Sequence, residues 1–317
     1  MSGIDIAGLR AGQRRALAKA ITLVESSRAE HRAAAQELLE ALLPHTGRSI
    51  RVGISGIPGV GKSTFIEAFG MHLIAAGHRV AVLAVDPSSP VAGGSILGDK
   101  TRMETLSRED AAFIRPSPSQ GALGGVAHKT RETMLLCEAA GYDVVIVETV
   151  GVGQSEYEVA SMVDFFLVLM LPNAGDELQG IKRGIMELAD ALVINKADGE
   201  SLGLANRTRQ HYQNAMNLLA HGGFWVPRVT TCSAAERRGI DEVWAMIGEY
   251  RRGAEASGEL AARRARQNGE WLRKLISELL EQRFRADPRV RAELPQLEAR
   301  VVRGEITPYA AAMRLLG

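Results

Sequence analysis

The sequence predicts an α/β fold, in which a mostly parallel sheet is flanked by helices on both faces. One observation is the alternation, from residue 51 onward, of short β-prone apolar runs with amphipathic segments. A second is a glycine-rich loop ending in a lysine, placed between the first such run and a helical segment. A third is the change near residue 250 to purely helical patterns. We therefore expect one sheet domain with helical extensions at both ends.

The β-prone runs define the expected strands of the sheet. Amphipathic segments such as 125–140 and 204–220 lie between them and are expected to be helices. Since ligands of parallel sheets bind beyond the carboxyl ends of the strands, we expect the loops at those ends to carry the chemistry. The runs are 51–55, 79–85, 143–147, 165–171, 191–194 and 225–230.

Both ends of the chain show helical periodicity alone. The C-terminal part has a wide apolar stripe that either packs on its own domain or, as we favour, forms a homodimer interface. The stripe consists of Trp271, Leu272, Leu275, Ile276, Leu279 and Leu280. The predicted parts are an N-terminal helical extension over residues 1–48, a sheet domain over 49–252 and a C-terminal helical dimerisation region over 253–317.

Composition excludes several classes of protein. The 317 residues include 38 basic and 37 acidic side chains, so charge gives no reason to expect a nucleic-acid or membrane partner. Cys137 and Cys232 are far apart, which argues against a disulfide framework or a cysteine zinc site. The N-terminus has no apolar signal core, and the most apolar run, 165–171, is too short to span a bilayer. We expect a cytoplasmic protein, although a matrix protein stripped of its transit peptide would look the same.

The loop after the first run matches the phosphate-binding pattern G-x-x-x-x-G-K-[ST] in full. Its glycines let backbone N–H groups turn towards phosphate oxygens, and the helix that follows adds its positive end. Lys62 is expected to contact the β- and γ-phosphates and Ser63 to bind Mg²⁺. This loop predicts a P-loop NTPase. Its residues are Gly56, Ile57, Pro58, Gly59, Val60, Gly61, Lys62, Ser63 and Thr64.

A second motif, N-K-x-D, follows the run at 191–194 and favours guanine over adenine. The carboxylate of Asp198 accepts hydrogen bonds only, so it suits the two N–H donors on the Watson–Crick edge of guanine. Asn195 can tie the loops together, and the stem of Lys196 can lie over the base. The remaining base loop is assigned to Ser233, Ala234 and Ala235. We expect GTP and GDP as ligands.

Three carboxylates are candidates for the surroundings of the magnesium ion. Glu148 ends the run at 143–147, Asp86 ends the run at 79–85, and Asp99 lies in a glycine-rich loop. For Asp86 an ordinary turn before Pro87 is the alternative, and for Asp99 a surface loop acid. Gly151 is placed to present its N–H group to the γ-phosphate.

The usual water-orienting glutamine is absent from its expected position. Ras-like enzymes place it after the glycine of D-x-x-G, where this sequence has Val152. Gln154 is nearby but is given no role, and no arginine finger is identifiable in the chain. We therefore expect slow intrinsic GTP hydrolysis that a partner accelerates.

Taken together, these motifs resemble the MeaB/ArgK family of GTPases, which includes the human methylmalonic aciduria type A protein. The resemblance covers about residues 10–317, and its most specific part is the stretch E-T-V-G-V-G-Q-S-E. The matching segments are 56–64, 85–89, 98–103, 115–117, 124–127, 148–156 and 195–198.

The resemblance implies a function that the residues alone do not show. Members of the family are G-protein chaperones of adenosylcobalamin-dependent acyl-CoA mutases, chiefly methylmalonyl-CoA mutase. They gate cofactor loading and protect the mutase, form homodimers through their C-terminal helices, and leave the cobalamin to the client. Residues 172–183 resemble an additional switch that couples mutase contact to hydrolysis. The resulting catalytic candidates are Lys62, Asp99, Glu148, Asp176 and Lys182.

Two other functions compete with this interpretation. One is a kinase or transport ATPase, against which the N-K-x-D motif argues. The other is a nickel-insertion GTPase, which would carry clustered metal ligands, whereas the seven histidines of this chain are scattered.

Overall fold

The computed structural model describes residues 4–26, 28–85, 103–116, 123–149, 155–172, 183–219 and 223–317. Within these ranges the chain forms two compact units, Met1–Ala261 and Ala262–Gly317. The predicted division at residues 48 and 252 stays a prediction. Among the helices of the described ranges, none is long and apolar enough to cross a membrane.

The first unit contains a seven-stranded sheet whose neighbouring strands all pair in parallel, as the sequence predicts. The strand order is β3-β2-β4-β1-β5-β6-β7, so β1 is central. Every residue of β2, β4, β5 and β6 is buried, as expected for a parallel sheet covered on both faces. The strands are β1 Ile50–Gly56, β2 Val80–Val85, β3 Ala112–Arg115, β4 Val144–Thr149, β5 Phe165–Met170, β6 Ala191–Ile194 and β7 Arg228–Thr231.

Helices cover both faces of this sheet and enclose two hydrophobic clusters. On one face, residues of the N-terminal helices pack with those of α5 and α8. On the other face, α4 and α9 supply most of the helical core residues. The helices of the first unit are α1 Ile6–Arg10, α2 Arg14–Glu25, α3 Ala29–Leu42, α4 Lys62–Ala75, α5 Leu123–Ala139, α6 Ser155–Ala160, α7 Arg183–Leu188, α8 Leu202–Leu219 and α9 Ile240–Ala256.

The strands differ from the expected runs in two details. The short edge strand β3 lies outside all of those runs, because its four residues end in an arginine and give little hydrophobic signal. The last strand begins at Arg228 rather than Trp225, since Pro227 precedes it and proline cannot donate to a sheet. Trp225 instead donates from its indole N–H to the carbonyl oxygen of Asp190, at 2.9 Å.

Three helices dominate the region from residue 259 onward: α10 Glu259–Ala286, α11 Pro288–Val302 and α12 Pro308–Leu316. Asp287 and Thr307 cap α11 and α12 with their side chains, each followed by a proline at the first helical position. A small core joins these two helices around Val290, Leu297 and Leu315. On α10, the side chains of Leu272, Ile276, Leu279 and Leu280 are 46–60% exposed.

A buried carboxylate anchors the start of the central strand. Glu138, near the end of α5, accepts hydrogen bonds from Gly47 N at 2.7 Å, Ser49 Oγ at 2.5 Å and Arg51 Nε at 2.7 Å. Burial would raise the pKa of Glu138, but the hydrogen bonds and the charge of Arg51 more than offset this and hold its pKa below the ordinary value.

We expect Glu138→Gln to lower the free energy of unfolding by about 3 kcal/mol at neutral pH, because it breaks a buried ion pair. A depressed carboxyl pKa stabilises the fold above its unfolded value of 4.5, so the difference from wild type should shrink as pH falls below 4.5 and vanish only below the pKa of the folded state. Denaturant unfolding across pH 3–7 measures this. The matched control is Glu255→Gln, which removes the exposed pair with Arg251 and should cost less than about 0.5 kcal/mol.

Candidate functional site

The phosphate-binding loop leaves the carboxyl end of the central strand and runs directly into α4. Val60 is fully buried and holds the loop against the sheet. Gly61 adopts a left-handed conformation with φ 93°, and a Cβ atom there would lie 2.8 Å from the side-chain nitrogen of Asn195. Both conditions restrict the position to glycine. Helix α4 then begins at Lys62, so its unsatisfied N–H groups point into the loop.

Lys62 lies among charged and polar groups of the loop. Its ammonium group donates to the carbonyl oxygen of Gly56 at 2.6 Å. Burial lowers the pKa of Lys62, while the charges of Glu148 and Glu156 act in the opposite direction and raise it. Both glutamates are buried, so a cation and two carboxylates share this part of the site.

The predicted guanine loop is joined to the phosphate loop by direct hydrogen bonds. The side-chain nitrogen of Asn195 donates to Val60 O at 2.9 Å, and Lys196 Nζ donates to Gly59 O at 2.8 Å. Lys196 has a φ of 58°, which is unusual for a residue other than glycine. Such strain is common in residues that a functional loop holds in place.

The loop after β7 completes this arrangement. Ala234 N donates to Asn195 Oδ1 at 3.1 Å, and Ser233 Oγ donates to Asp198 Oδ2 at 2.5 Å. Ser233 and Ala234 are buried, whereas Ala235 is exposed. The Ser233 contact orients the Asp198 carboxylate and leaves its second oxygen for a ligand.

The candidate metal ligands are only partly within the described residues. Ser63 is the second residue of α4, and Glu148 is a buried residue of β4, the strand next to β1. In the part of the chain that the structure describes, no group of three or more His, Cys, Asp or Glu is arranged to hold a metal ion. The following predicted residues lie outside the described ranges: Asp86, Asp99, Gly151, Val152, Gln154, Asp176 and Lys182.

Two residues make contacts in the site that the sequence analysis does not assign to them. Glu156 is 1% exposed in the first turn of α6 and contributes to the electrostatics of Lys62. In the sequence, Glu156 appears as an acidic residue that follows the loop beginning at Glu148. Cys232 places its thiol 3.4 Å from Asn195 Oδ1, and no sequence pattern indicated this contact.

Helices α6 and α7 meet at a close contact between Tyr157 and Gly184. A Cβ atom at position 184 would lie 2.0 Å from the Tyr157 hydroxyl oxygen and 3.3 Å from its Cζ atom. Helix α6 follows residues 150–154, and α7 follows residues 173–182. The contact therefore joins the two helices that come directly after these segments.

A family model and several known proteins match most of this chain. A family model described as methylmalonyl-CoA mutase-associated GTPase MeaB matches residues 17–289. The GTPase ArgK of Escherichia coli is 57% identical over 275 residues, which cover 86% of this chain and 83% of ArgK. The mitochondrial methylmalonic aciduria type A homolog of Mus musculus is 49% identical over 320 residues, covering 98% and 77% of the two chains.

One solved structure is similar over nearly the whole chain. It is described as an LAO/AO transport system kinase and is 46% identical, with a TM-score of 0.78. The match covers 98% of this chain and 94% of that one.

We expect Gly184→Ala to lower the free energy of unfolding by no more than about 1 kcal/mol, because the new methyl group clashes with the Tyr157 hydroxyl but the half-exposed Tyr157 side chain can move aside. Adding Tyr157→Phe removes the clashing oxygen and should restore most of the loss. Thermal unfolding of both single variants and the double variant measures the coupling. The control, Gly203→Ala in α8, has open space around the new methyl and should be neutral or stabilising. Purely additive effects at 157 and 184 would contradict the contact.

Proposed function

Since the chain belongs to the MeaB family of methylmalonyl-CoA mutase-associated GTPases, we propose that it gates cofactor loading of an adenosylcobalamin-dependent acyl-CoA mutase and protects that mutase. Methylmalonyl-CoA mutase is the proposed client. The observation that carries this proposal is the family description itself, which names the mutase and matches 17–289. We propose that the client holds the cobalamin. In this proposal, GTP binding and hydrolysis by this chain determine when the cofactor is loaded.

The site geometry supports the proposed residue roles in nucleotide binding. Gly56–Thr64 surround the phosphates with backbone N–H groups, and Lys62 contacts the β- and γ-phosphates. Asp198, oriented by Ser233, accepts from the guanine base, while Asn195 and Lys196 keep the base loop against the phosphate loop. Ala234 and Ala235 complete the base loop.

A magnesium ion fits the donors that are present. The Ser63 hydroxyl and the Glu148 carboxylate are oxygen donors, which Mg²⁺ prefers. Asp86 and Asp99 are the further proposed members. When bound, the ion neutralises charge on the phosphates. Ser63 is held by the first turn of α4 and Glu148 by β4.

The proposed rate of GTP hydrolysis follows from the residues expected around the γ-phosphate. With Val152 where a water-orienting glutamine would stand, intrinsic hydrolysis is slow. Contact with the client then raises the rate, and Asp176 and Lys182 are the proposed charged members of the coupling segment. Catalysis is assigned to them together with Lys62, Glu148 and Asp99.

Dimerisation is the second part of the proposal. Leu272, Ile276, Leu279 and Leu280 form a continuous exposed apolar stripe on α10. A stripe of this size on a long helix is typical of a helix-to-helix interface. A twofold pairing of two copies through this stripe would bury it.

A nucleotide-dependent transport kinase is the competing function, favoured by the description of the 46% identical solved structure. The guanine loop argues against ATP as its substrate. A nickel-insertion role is less favoured, because within the described ranges no cluster of metal-binding side chains occurs.

We expect methylmalonyl-CoA mutase to be retained by this protein in a pull-down and to raise its GTP hydrolysis rate by at least about tenfold. The physical reason is that the chain lacks the usual water-orienting glutamine, so a partner must complete the site. Lys62→Ala, which should lose GTP affinity, is the control for nucleotide dependence. No binding and no change in rate would remove the proposed client.

We expect Asp198→Asn to weaken GTP binding about 100-fold, since an acceptor becomes a donor facing the guanine N–H groups. Ser233 can still donate to the remaining amide oxygen, which leaves the NH₂ group towards the base. Xanthine has an acceptor in place of the guanine amino group, so XTP affinity should rise. Titration with GTP, XTP and ATP measures this. Equal binding of ATP and GTP by the wild type would instead favour the kinase.

We expect Ile276→Glu with Leu280→Glu to turn a dimer into a monomer at micromolar concentration, because two charges would be buried in the apolar interface. Analytical ultracentrifugation measures the mass. Val302→Glu is the matched control, since Val302 lies on α11 outside the stripe and is 87% exposed. A wild-type monomer would contradict the proposed dimer.

A further inference from the structure

The loop after β7 closes on itself through its backbone. Ser233 and Arg238 each donate their N–H group to the carbonyl oxygen of the other, at 3.0 Å in both directions. Residues 234–237 form the turn between them, which we call the base turn. The base turn is therefore a four-residue hairpin loop, a length that is most often built around a type I turn.

The hydroxyl group of Ser233 makes hydrogen bonds on two sides. Its oxygen accepts from Glu236 N, inside the base turn, at 3.2 Å. Its proton is donated to Asp198 Oδ2 at 2.5 Å. Because a hydroxyl group has a single proton, the contact with the N–H group of Glu236 directs that proton towards Asp198. The closed base turn therefore helps to fix the position of the Asp198 carboxylate.

Arg237 is the last residue of the base turn and has a left-handed backbone. Its φ is 56°, a conformation that is unfavourable for residues with a Cβ atom and least accessible to β-branched ones. The Arg237 side chain is exposed, so burial of that side chain does not account for the conformation. The conformation is instead needed to bring the chain back to Ser233.

Both ends of the base turn are fixed by the surrounding structure. Ser233 is fully buried, and Cys232 before it donates from its backbone N–H to Ile194 O at 2.8 Å. At the other end, Gly239 has a φ of 75° and leads into α9. A Cβ atom there would lie 2.6 Å from Thr231 O. Since neither end can shift freely, the strain of closing the turn falls on its last residue.

We propose that Arg237 is a positioning residue for guanine recognition, because its left-handed backbone closes the turn that holds Ser233 against Asp198. This inference rests on the proposed guanine site. Arg237 acts through the backbone of the base turn, and neither its charge nor its side-chain length is needed for the effect. The ligand group concerned is the 2-amino group of guanine, one of the two donors assigned to Asp198.

The test is the preference for GTP over ITP, whose base lacks the 2-amino group. We expect a wild-type preference of about tenfold or more, since ITP loses a hydrogen bond to a charged acceptor. Arg237→Ile should lower this preference at least about threefold, because a β-branched residue opens the turn and releases the Ser233 hydroxyl. Titration calorimetry with each nucleotide measures both affinities.

Further variants separate the backbone of residue 237 from its side chain. Arg237→Gly and Arg237→Asn adopt the left-handed conformation readily and should keep or raise the wild-type preference. Arg252→Ile is the matched control, because it makes the same replacement at an exposed arginine within α9 and should leave the preference unchanged. Arg237→Thr, which is β-branched but polar, serves if Arg237→Ile does not fold.

Amide hydrogen exchange at Glu236 distinguishes opening of the turn from its consequence. Faster exchange in Arg237→Ile with an unchanged preference for GTP over ITP would overturn the positioning role. Equal losses of GTP and ITP affinity would overturn it as well, since they would show general damage. So would a loss of preference in Arg237→Gly as large as in Arg237→Ile, because the side chain would then be responsible. A wild type without any preference for GTP over ITP would refute the guanine site itself.

Discussion

A single side-chain amide, that of Asn195, holds the nucleotide edge of the sheet together. Its nitrogen donates to Val60 in the loop after the central strand, and its oxygen accepts from Ala234 in the loop after the last strand. Because Asn195 is buried, either contact, if lost, would leave a desolvated polar group at a cost of about 1–3 kcal/mol. Three loops that are remote in sequence therefore share one fixed arrangement, and the proposed phosphate and base contacts depend on it.

The parallel sheet makes this arrangement possible, because the carboxyl ends of all its strands lie at the same edge. The central strand leads to the phosphate loop, β4 brings Glu148 beside it, and β6 brings Asn195 from the other side. Helix α4 also connects the phosphate loop to another part of the chain. Glu67, four residues after Ser63 on this helix, accepts a hydrogen bond from Thr105 N at 2.8 Å, so α4 is joined to a segment that comes about forty residues later in the chain.

The sequence predicted the fold class, which the structure confirms, because strand and helix periodicity are local properties of the chain. It also predicts the residues of the phosphate and guanine loops, since those motifs place their chemistry in consecutive residues, and these assignments stay predictions. It missed β3, whose four residues carry too little pattern. It also missed the contacts of Glu67 and Glu156, because a side chain that acts across the fold has no signature in its neighbours. Pairs such as Ser233 with Asp198 become visible only when distant loops are brought together.

The two cysteines have a practical consequence for solution work. Cys137 lies in α5 and Cys232 follows β7, each in a different core cluster, and both are buried. Burial, with the nearby charge of Asp198, raises the pKa of Cys232 to about 12, and burial also raises the pKa of Cys137. Since the thiolate is the reactive form, both are poorly reactive at neutral pH. A cysteine introduced at the surface would thus take up a thiol-reactive dye or cross-linker selectively, with the native pair left in place.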